Sequence, residues 1–469
     1  MKTIINSTLA ILLLVLSSCN LTKDIATPTK GIPLNFRGAE NNENASIGTL
    51  PIKEFFNNPA MLILIDSALV RNFDLQIALK NIDAAELILK RAKLGNMPTL
   101  NLQITGNSSR PSDNSLNGLS TSQFLNTTHI EDFNANLALN WEADIWGKIA
   151  KQKDAAYAGY LQSAEVKKAI ETRIVAQVAT GFYRLLMLDA QLQVAKSNVE
   201  LNNHTLKMIK MQFDAGQVTS LAVQQAEAQQ LKATQLLPQL NAEINIQENA
   251  LSTLTGKFPT VVERSGTLAQ IVVPVQLATG VPATMLDVRP DVKSSELGLR
   301  ISNAKVGIAN AKLYPTLVIS ASAGLNSFQA SNWFNIPASL FGVVGGGITQ
   351  PIFNRKELRT QFELAKIERE QAVLVFRQTV IEAVAEVSNE QAKIANLQVE
   401  YSIAQNRVKT LQLAVKNSDL LFKSGLANYL EVITAQGNLL QGELDLTSLK
   451  TAQLNAGVSL YRALGGGWQ

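Results

Sequence analysis

The stretch MQFDAGQVTSLAVQQAEAQQL, Met211–Leu231, returns at Leu420–Leu440 as LLFKSGLANYLEVITAQGNLL. Both copies set Phe three residues before a glycine, at Phe213/Gly216 and Phe422/Gly425, and then keep Leu, Val, Ala and Leu in step. Each glycine interrupts a long helical pattern. Gly216 and Gly425 are expected to take the positive φ that reverses a helix end, with Thr219/Ser220 and Asn428 available to cap the helix that follows.

The patterns on either side are long. Lys148–Asp214 contains no proline, and Lys356–Ser424 contains neither proline nor glycine. In the first of these, Ile174, Val178, Phe182, Leu185, Leu188, Leu192, Ala195 and Val199 keep a nearly heptad beat. At about 1.5 Å per residue each would reach ~100 Å unbroken, well beyond an ordinary globular helix. The stretches after the turns, Val218–Leu254 and Asn428–Leu464, can fold back as antiparallel neighbours.

Upstream of each long helix the period changes. TLNLQITG sets Leu100, Leu102 and Ile104 against Asn101, Gln103 and Thr105; FNANLALNW alternates likewise from Phe133 to Trp141. Period two predicts strands over about 99–106 and 133–141, joined by a solvated Ser/Asn-rich loop from Asn107 to Thr128. The arrangement returns in TLVISASAGL (316–325) and more weakly in SLFGVVGGGITQ, a strand over about 340–350 in which the glycine run reads as a bulge or close packing. The better strands have roughly the nine to eleven residues that cross a bilayer as tilted barrel strands. Two amphipathic hairpins could equally pack on a soluble core.

The chain is thus a tandem duplication of helix, strand, strand, long helix, turn and return helix. Copy one runs over 57–256, with NPAMLILIDSALVRNFDLQIALKNIDAAELILKRAKLGNMP read as a helical run in which Leu62, Ile65, Leu69, Phe73 and Ile77 recur and Pro98 ends the pattern. Residues 257–289 form a linker, 290–465 copy two, and 466–469 a tail. Four strands cannot close a membrane barrel, so inserted hairpins would need several copies: two give eight strands and three give twelve.

Lys2, the apolar run Leu9–Leu16 and the small residues after it have the form of an export signal, too short to span a bilayer. LSSC, Leu16–Cys19, resembles a bacterial lipobox, which makes 1–18 a signal peptide and Cys19 a lipidated N-terminus; the plainer alternative is an ordinary signal with an incidental cysteine. Cys19 is the only cysteine and cannot make an internal disulfide. Asn20 rather than Asp follows it, which by the sorting rule for such lipoproteins places the anchor in the outer membrane. Residues 19–56 read as an extended polar leash. The net charge of +4 over 469 residues, without a Lys/Arg block, argues against a nucleic-acid partner.

The chain is similar to the TolC-like outer-membrane efflux proteins, in particular the lipoprotein branch (NodT/OprM-like) that serves resistance-nodulation-division pumps. The resemblance is carried by Asn58–Glu86, WEADIWGK (Trp141–Lys148), RPDVKSSELGLRISNAKVGIANAKLYPTL (Arg289–Leu317), QPIFNRKEL (Gln350–Leu358) and the two turns. One departure is DVRPD, where the family more often has a second arginine before the proline. The resemblance implies a homotrimer with a twelve-stranded barrel in the outer membrane and a twelve-helix periplasmic tunnel, a passive duct without cofactor. It also implies docking, at the glycine turns, to a periplasmic membrane-fusion adaptor and through it to an inner-membrane resistance-nodulation-division pump. The tip residues it marks are Phe213, Gly216, Val218, Thr219, Ser220, Phe422, Gly425, Ala427, Asn428 and Tyr429.

Asp419 lies six residues before Gly425, with Lys416 and Lys423 on its helical face. It reads either as a solvated face with weak ion pairs or, in the implied trimer, as a ring at the aperture. Catalytic readings find little: His129 and His204 stand apart, and Arg289-Pro290-Asp291 reads as a helix start. The alternatives are the exit duct of a type I secretion system, which usually lacks the lipid anchor, a lipid-anchored coiled-coil scaffold or adhesin, and a periplasmic lipoprotein enzyme. The sequence does not name the cargo.

Overall fold

A computed structural model describes residues 33, 36–37, 46–124, 127–272, 278–280, 282 and 288–468. The strands and the helices of nine residues or more are, in chain order, α1 (Pro59–Arg71), α2 (Phe73–Lys93), β1 (Thr99–Ser109), α3 (Leu116–Phe124), β2 (Ile130–Ala143), α4 (Lys148–Asp214), α5 (Ser220–Leu254), α6 (Pro290–Ala311), β3 (Thr316–Ser327), β4 (Leu340–Thr349), α7 (Glu357–Lys423) and α8 (Tyr429–Ala463). The duplication is visible in the numbers. Both long helices have 67 residues and both return helices 35. Equivalent starts lie 217 residues apart before the hairpin loops (73 and 290, 99 and 316) and 209 apart after them (148 and 357, 220 and 429). The difference of eight is the extra length of the first hairpin loop, 110–129 against 328–339.

Two compact units share the chain. The first, 84–160 with 297–374, holds one antiparallel sheet in the order β1-β2-β3-β4. Its register carries the alternation of the sequence across all four strands. One face runs Leu100, Leu139, Ala321, Val344 and, two residues on, Leu102, Leu137, Ala323, Gly342. The opposite face pairs Gln103 with Asn136, Thr105 with Asn134, Asn134 with Asn326 and Asn140 with Ser320. In β4 this second face carries Phe341 and Val343, so alternation is weakest there. The apolar face is uncovered: Leu102, Ile104, Val344 and Ile348 are all exposed. Aromatic groups flank the strands at both ends, Phe133 against Trp333 near the loops and Trp146 stacked on Tyr314 near the helices.

Two expectations for this unit are corrected. The segment 107–128 is not all loop, because β1 runs on to Ser109 and Leu116–Phe124 is helical, with Thr121 donating to the Asn117 carbonyl at 2.6 Å. Nor is the glycine run a bulge or a close approach. Pairing from Thr316↔Thr349 to Leu325↔Leu340 proceeds without an extra residue, and a Cβ at Gly342 or Gly347 would meet nothing within 4 Å.

The second unit, whose described residues lie in 33–83, 161–296 and 375–468, holds the hydrophobic core. The heptad positions Ile174, Val178, Phe182, Leu185 and Leu188 are all buried. The run through Asn58–Pro98 breaks at Asn72, whose Oδ1 accepts from the Asp74 amide at 2.9 Å and so starts a new helix. The break shifts the buried face: Leu75 and Ala78 are covered, while Phe73 and Ile77 are exposed. The expected leash is likewise packed in its described part. Phe36, Ile47, Ile52 and Phe56 are core residues, Phe55 stacks on Tyr461 at 4.1 Å, and the Tyr461 hydroxyl donates to the Leu50 carbonyl at 2.7 Å. The start of the inter-repeat segment is also tied down. Arg264 bridges Asp189 and Glu248, and Asn58 donates to the Ser265 carbonyl at 2.8 Å.

Candidate functional site

The two glycine turns are the same structure made twice. Gly216 (φ 72°) donates to the Phe213 carbonyl and Gly425 (φ 76°) to that of Phe422; the next amides, Gln217 and Leu426, reach back to Gln212 and Leu421 at 2.8 and 2.9 Å. This pair of bonds satisfies the last carbonyls of each long helix and needs the left-handed residue that glycine supplies without strain.

The fold brings the two turns onto one small core, which the sequence did not reveal. Ile209, Ala222, Ala226, Phe422 and Val432 are buried together, with Val218 and Tyr429 packed against them. Phe422 is therefore a core residue rather than a contact surface, which corrects the expectation for that position. Its counterpart Phe213 is 44% exposed. Around Gly216, Gly425 and the exposed Asn428 the apolar side chains of Met211, Leu221, Leu420, Leu426 and Leu430 are exposed among the polar Asp214, Gln217, Lys423 and Ser424. These residues were missed because helical periodicity alone does not say which leucines a turn leaves uncovered.

Capping differs between the turns. Asn428 Oδ1 accepts from the Leu430 and Glu431 amides at 2.9 and 3.2 Å, whereas Thr219 occupies the equivalent position without a side-chain cap and Ser220 is already helical. Asn428→Ala should therefore cost about 1 kcal/mol in thermal or chemical denaturation, and Thr219→Ala well under half of that; equal losses would refute the asymmetry.

Asp419 accepts from Lys423 at 2.7 Å; Lys416 is exposed one turn earlier. The ion pair is a partly exposed (i, i+4) contact worth roughly 0.3–0.5 kcal/mol. His204 and His129 are exposed. Among the described residues no group of three His, Cys, Asp or Glu side chains is placed to hold a metal ion. Cys19 lies outside the described residues.

Behind the tip the core of α4 turns polar. Between Ala195 and Ile209 the buried positions are Asn198, Asn202 and Thr205, and Thr205 accepts from Gln436 of α8 at 2.8 Å. Buried amides of this kind fix the register of packed helices at some cost in stability. The signal was legible as the point where the heptad beat fails.

Arg289 is more than a helix start. Buried, it holds Asp291 through two bonds of 2.9 and 2.6 Å, Glu386 of α7 at 2.9 Å, and the Ala463 carbonyl at the end of α8 at 2.7 Å. Arg462 meets Glu386 from the other side. Burial disfavours ionised Asp291, but the hydrogen bonds and charge of Arg289 outweigh it and hold that carboxyl below its usual range.

The outer membrane efflux protein family matches residues 64–257 and 281–466. The solvent efflux pump outer membrane protein SrpC of Pseudomonas putida is 29% identical over 466 residues, 97% of each chain. The cation efflux system protein CusC of Escherichia coli is 27% identical over 464 residues, again 97% of each. A crystal structure of CusC, described in terms of transmembrane channel formation, superposes with a TM-score of 0.84 at 26% identity, covering 96% of this chain and 100% of the other. With both repeats matched over nearly their whole length, this chain belongs to the outer membrane efflux protein family.

Proposed function

We propose that the protein is the passive outer-membrane exit duct of a tripartite efflux pump. The observation that carries this reading is the amphipathic sheet with two open edges. β1 and β4 each present an unpaired row of backbone groups beside an uncovered apolar face. In lipid such edges must pair, and copies of the chain that join β4 to β1 would satisfy them. Three copies give a twelve-stranded barrel, apolar outside and lined by Asn, Gln, Ser and Thr, continued by a periplasmic tunnel of paired long helices. Cys19 adds a lipid anchor in the same membrane. The tips dock a periplasmic adaptor, and an inner-membrane pump supplies the energy. Relatives named for solvent and cation efflux favour small toxic molecules as cargo over secreted proteins, and the lipobox points the same way. Purified protein should have the mass of three chains and conduct ions in planar bilayers; a non-conducting monomer would defeat the proposal.

Asp419 is the residue we place at the aperture, repeated three times in the trimer. Asp419→Ala should then raise single-channel conductance or weaken cation preference, and divalent cations should block the wild type more than the variant. Unchanged currents would leave Asp419 as half of a surface ion pair.

A further inference from the structure

The sheet is electrically lopsided. The four connections at its helix-side end, 94–98, 144–147, 312–315 and 350–356, carry three Lys or Arg against one carboxylate, and the helix turns that flank them add seven cations, of which Lys90, Lys148 and Lys151 are paired with Glu86, Glu142 and Asp154. The two hairpin loops at the other end, 110–129 and 328–339, carry one of each. The helix-side connections are also held as one assembly. Trp141 donates to the Asn96 carbonyl at 2.8 Å, Trp146 to that of Pro315 at 2.7 Å, and Gln350 to that of Leu313 at 3.1 Å.

Within this assembly the β4–α7 connection is unlike the rest. Ile352 and Phe353 are 97% and 88% exposed, and Arg355 and Lys356 directly after them are also exposed. Both cations hold left-handed backbone, φ 57° and 63°, and are the only non-glycine residues to do so among those described. That conformation is unfavourable for any residue with a side chain. The first repeat avoids it, since Gly147 (φ 74°), 209 residues before Lys356, occupies the equivalent place before α4. Glycine would serve the turn; what lysine adds there is charge. Strained backbone retained where an unstrained residue fits the geometry marks a site of use.

We propose that this connection binds anionic phospholipid headgroups of the leaflet that meets the helix-side end of the barrel. Ile352 and Phe353 enter the acyl boundary, while Arg355 and Lys356 take the headgroup phosphates, and the exposed Lys312 of the neighbouring connection adds to the basic collar. Apolar side chains beside cations at the rim of a membrane sheet match the two parts of a lipid, and the surplus of positive charge selects an anionic one. The inference rests on the barrel reading above and adds its lipid partner.

The test is native mass spectrometry of the full-length trimer in detergent, titrated separately with phosphatidylglycerol and phosphatidylcholine of the same acyl chains. At about fivefold per cation, the two residues set a preference for phosphatidylglycerol of about twenty-five-fold. R355Q/K356Q should remove that factor, and K356G, which relieves the strained turn and so keeps the fold, should lower the preference by about fivefold. Raising the salt should shrink the wild-type preference. No wild-type preference, or the same preference in K356G as in wild type, would overturn the proposal. Pore formation in planar bilayers is read on the same samples: wild type that forms pores without lipid preference counts against the collar alone, and wild type that forms none counts against the exit-duct reading.

Discussion

Ile104→Arg should sharply deplete the protein from the outer membrane, while Gln103→Arg, one residue earlier, should leave it there. Ile104 is the sixth of the eleven residues of β1, pairs with Ala135, and continues across the sheet to Leu325 and Leu340. Gln103 pairs with Asn136 on the other face. An arginine on the lipid face at mid-bilayer costs about 2–4 kcal/mol, and a trimer repeats the cost three times. On the lumen side the same side chain stays in water. The comparison also separates barrel from soluble hairpins: on a water-exposed sheet both positions are surface positions, where substitutions change stability by about 0.5 kcal/mol or less. The readout is the amount of heat-modifiable oligomer in outer-membrane fractions. Equal amounts of the two variants would remove the lipid-facing assignment.

That contrast was available from the sequence because period-two alternation is a local property, and in β1 and β2 each residue type announces its face. β4 was less legible, since Gly345, Gly346 and Gly347 carry no side chain to declare a side; only pairing with β3 shows that the run is regular and open. The long helices were readable for the same reason as the strands, through Ile174, Val178 and Phe182. Their neighbours were not. Nothing local distinguishes a polar leash from one whose Phe36, Ile47 and Phe56 fill a core made by residues some four hundred positions later. The break at Asn72 was hidden by an apolar pattern that continues through it, although an asparagine before Phe-Asp is itself a capping signal.

The candidate site divides in the same way. The glycines were found because left-handed helix ends select a residue type. Arg289 was read only as a helix start because its partners Glu386 and Ala463 come from α7 and α8, and long-range ion pairs leave no spacing in the sequence. The exchange of roles between Phe213, exposed, and Phe422, buried, is invisible to any comparison of the two repeats as strings, since both strings have Phe there.

The second large effect expected is at Gly425. Gly425→Val should abolish efflux-dependent resistance and crosslinking to the adaptor, whereas Gly425→Asn should keep most of both. A Cβ at this position meets nothing within 4 Å, so neither variant is excluded by a clash. What separates them is φ, 76°. Asparagine enters the left-handed region at modest cost, but a β-branched residue pays about 1–2 kcal/mol or more and is driven to another conformation. Leaving it would break the bonds from Gly425 to Phe422 and from Leu426 to Leu421, and would redirect Leu426, 78% exposed at the tip. If bulk rather than backbone direction limited docking, valine and asparagine, of similar size, would fail together. Parallel loss would therefore relocate the contact onto the glycine surface itself, and full activity in both would take the docking role away from this turn.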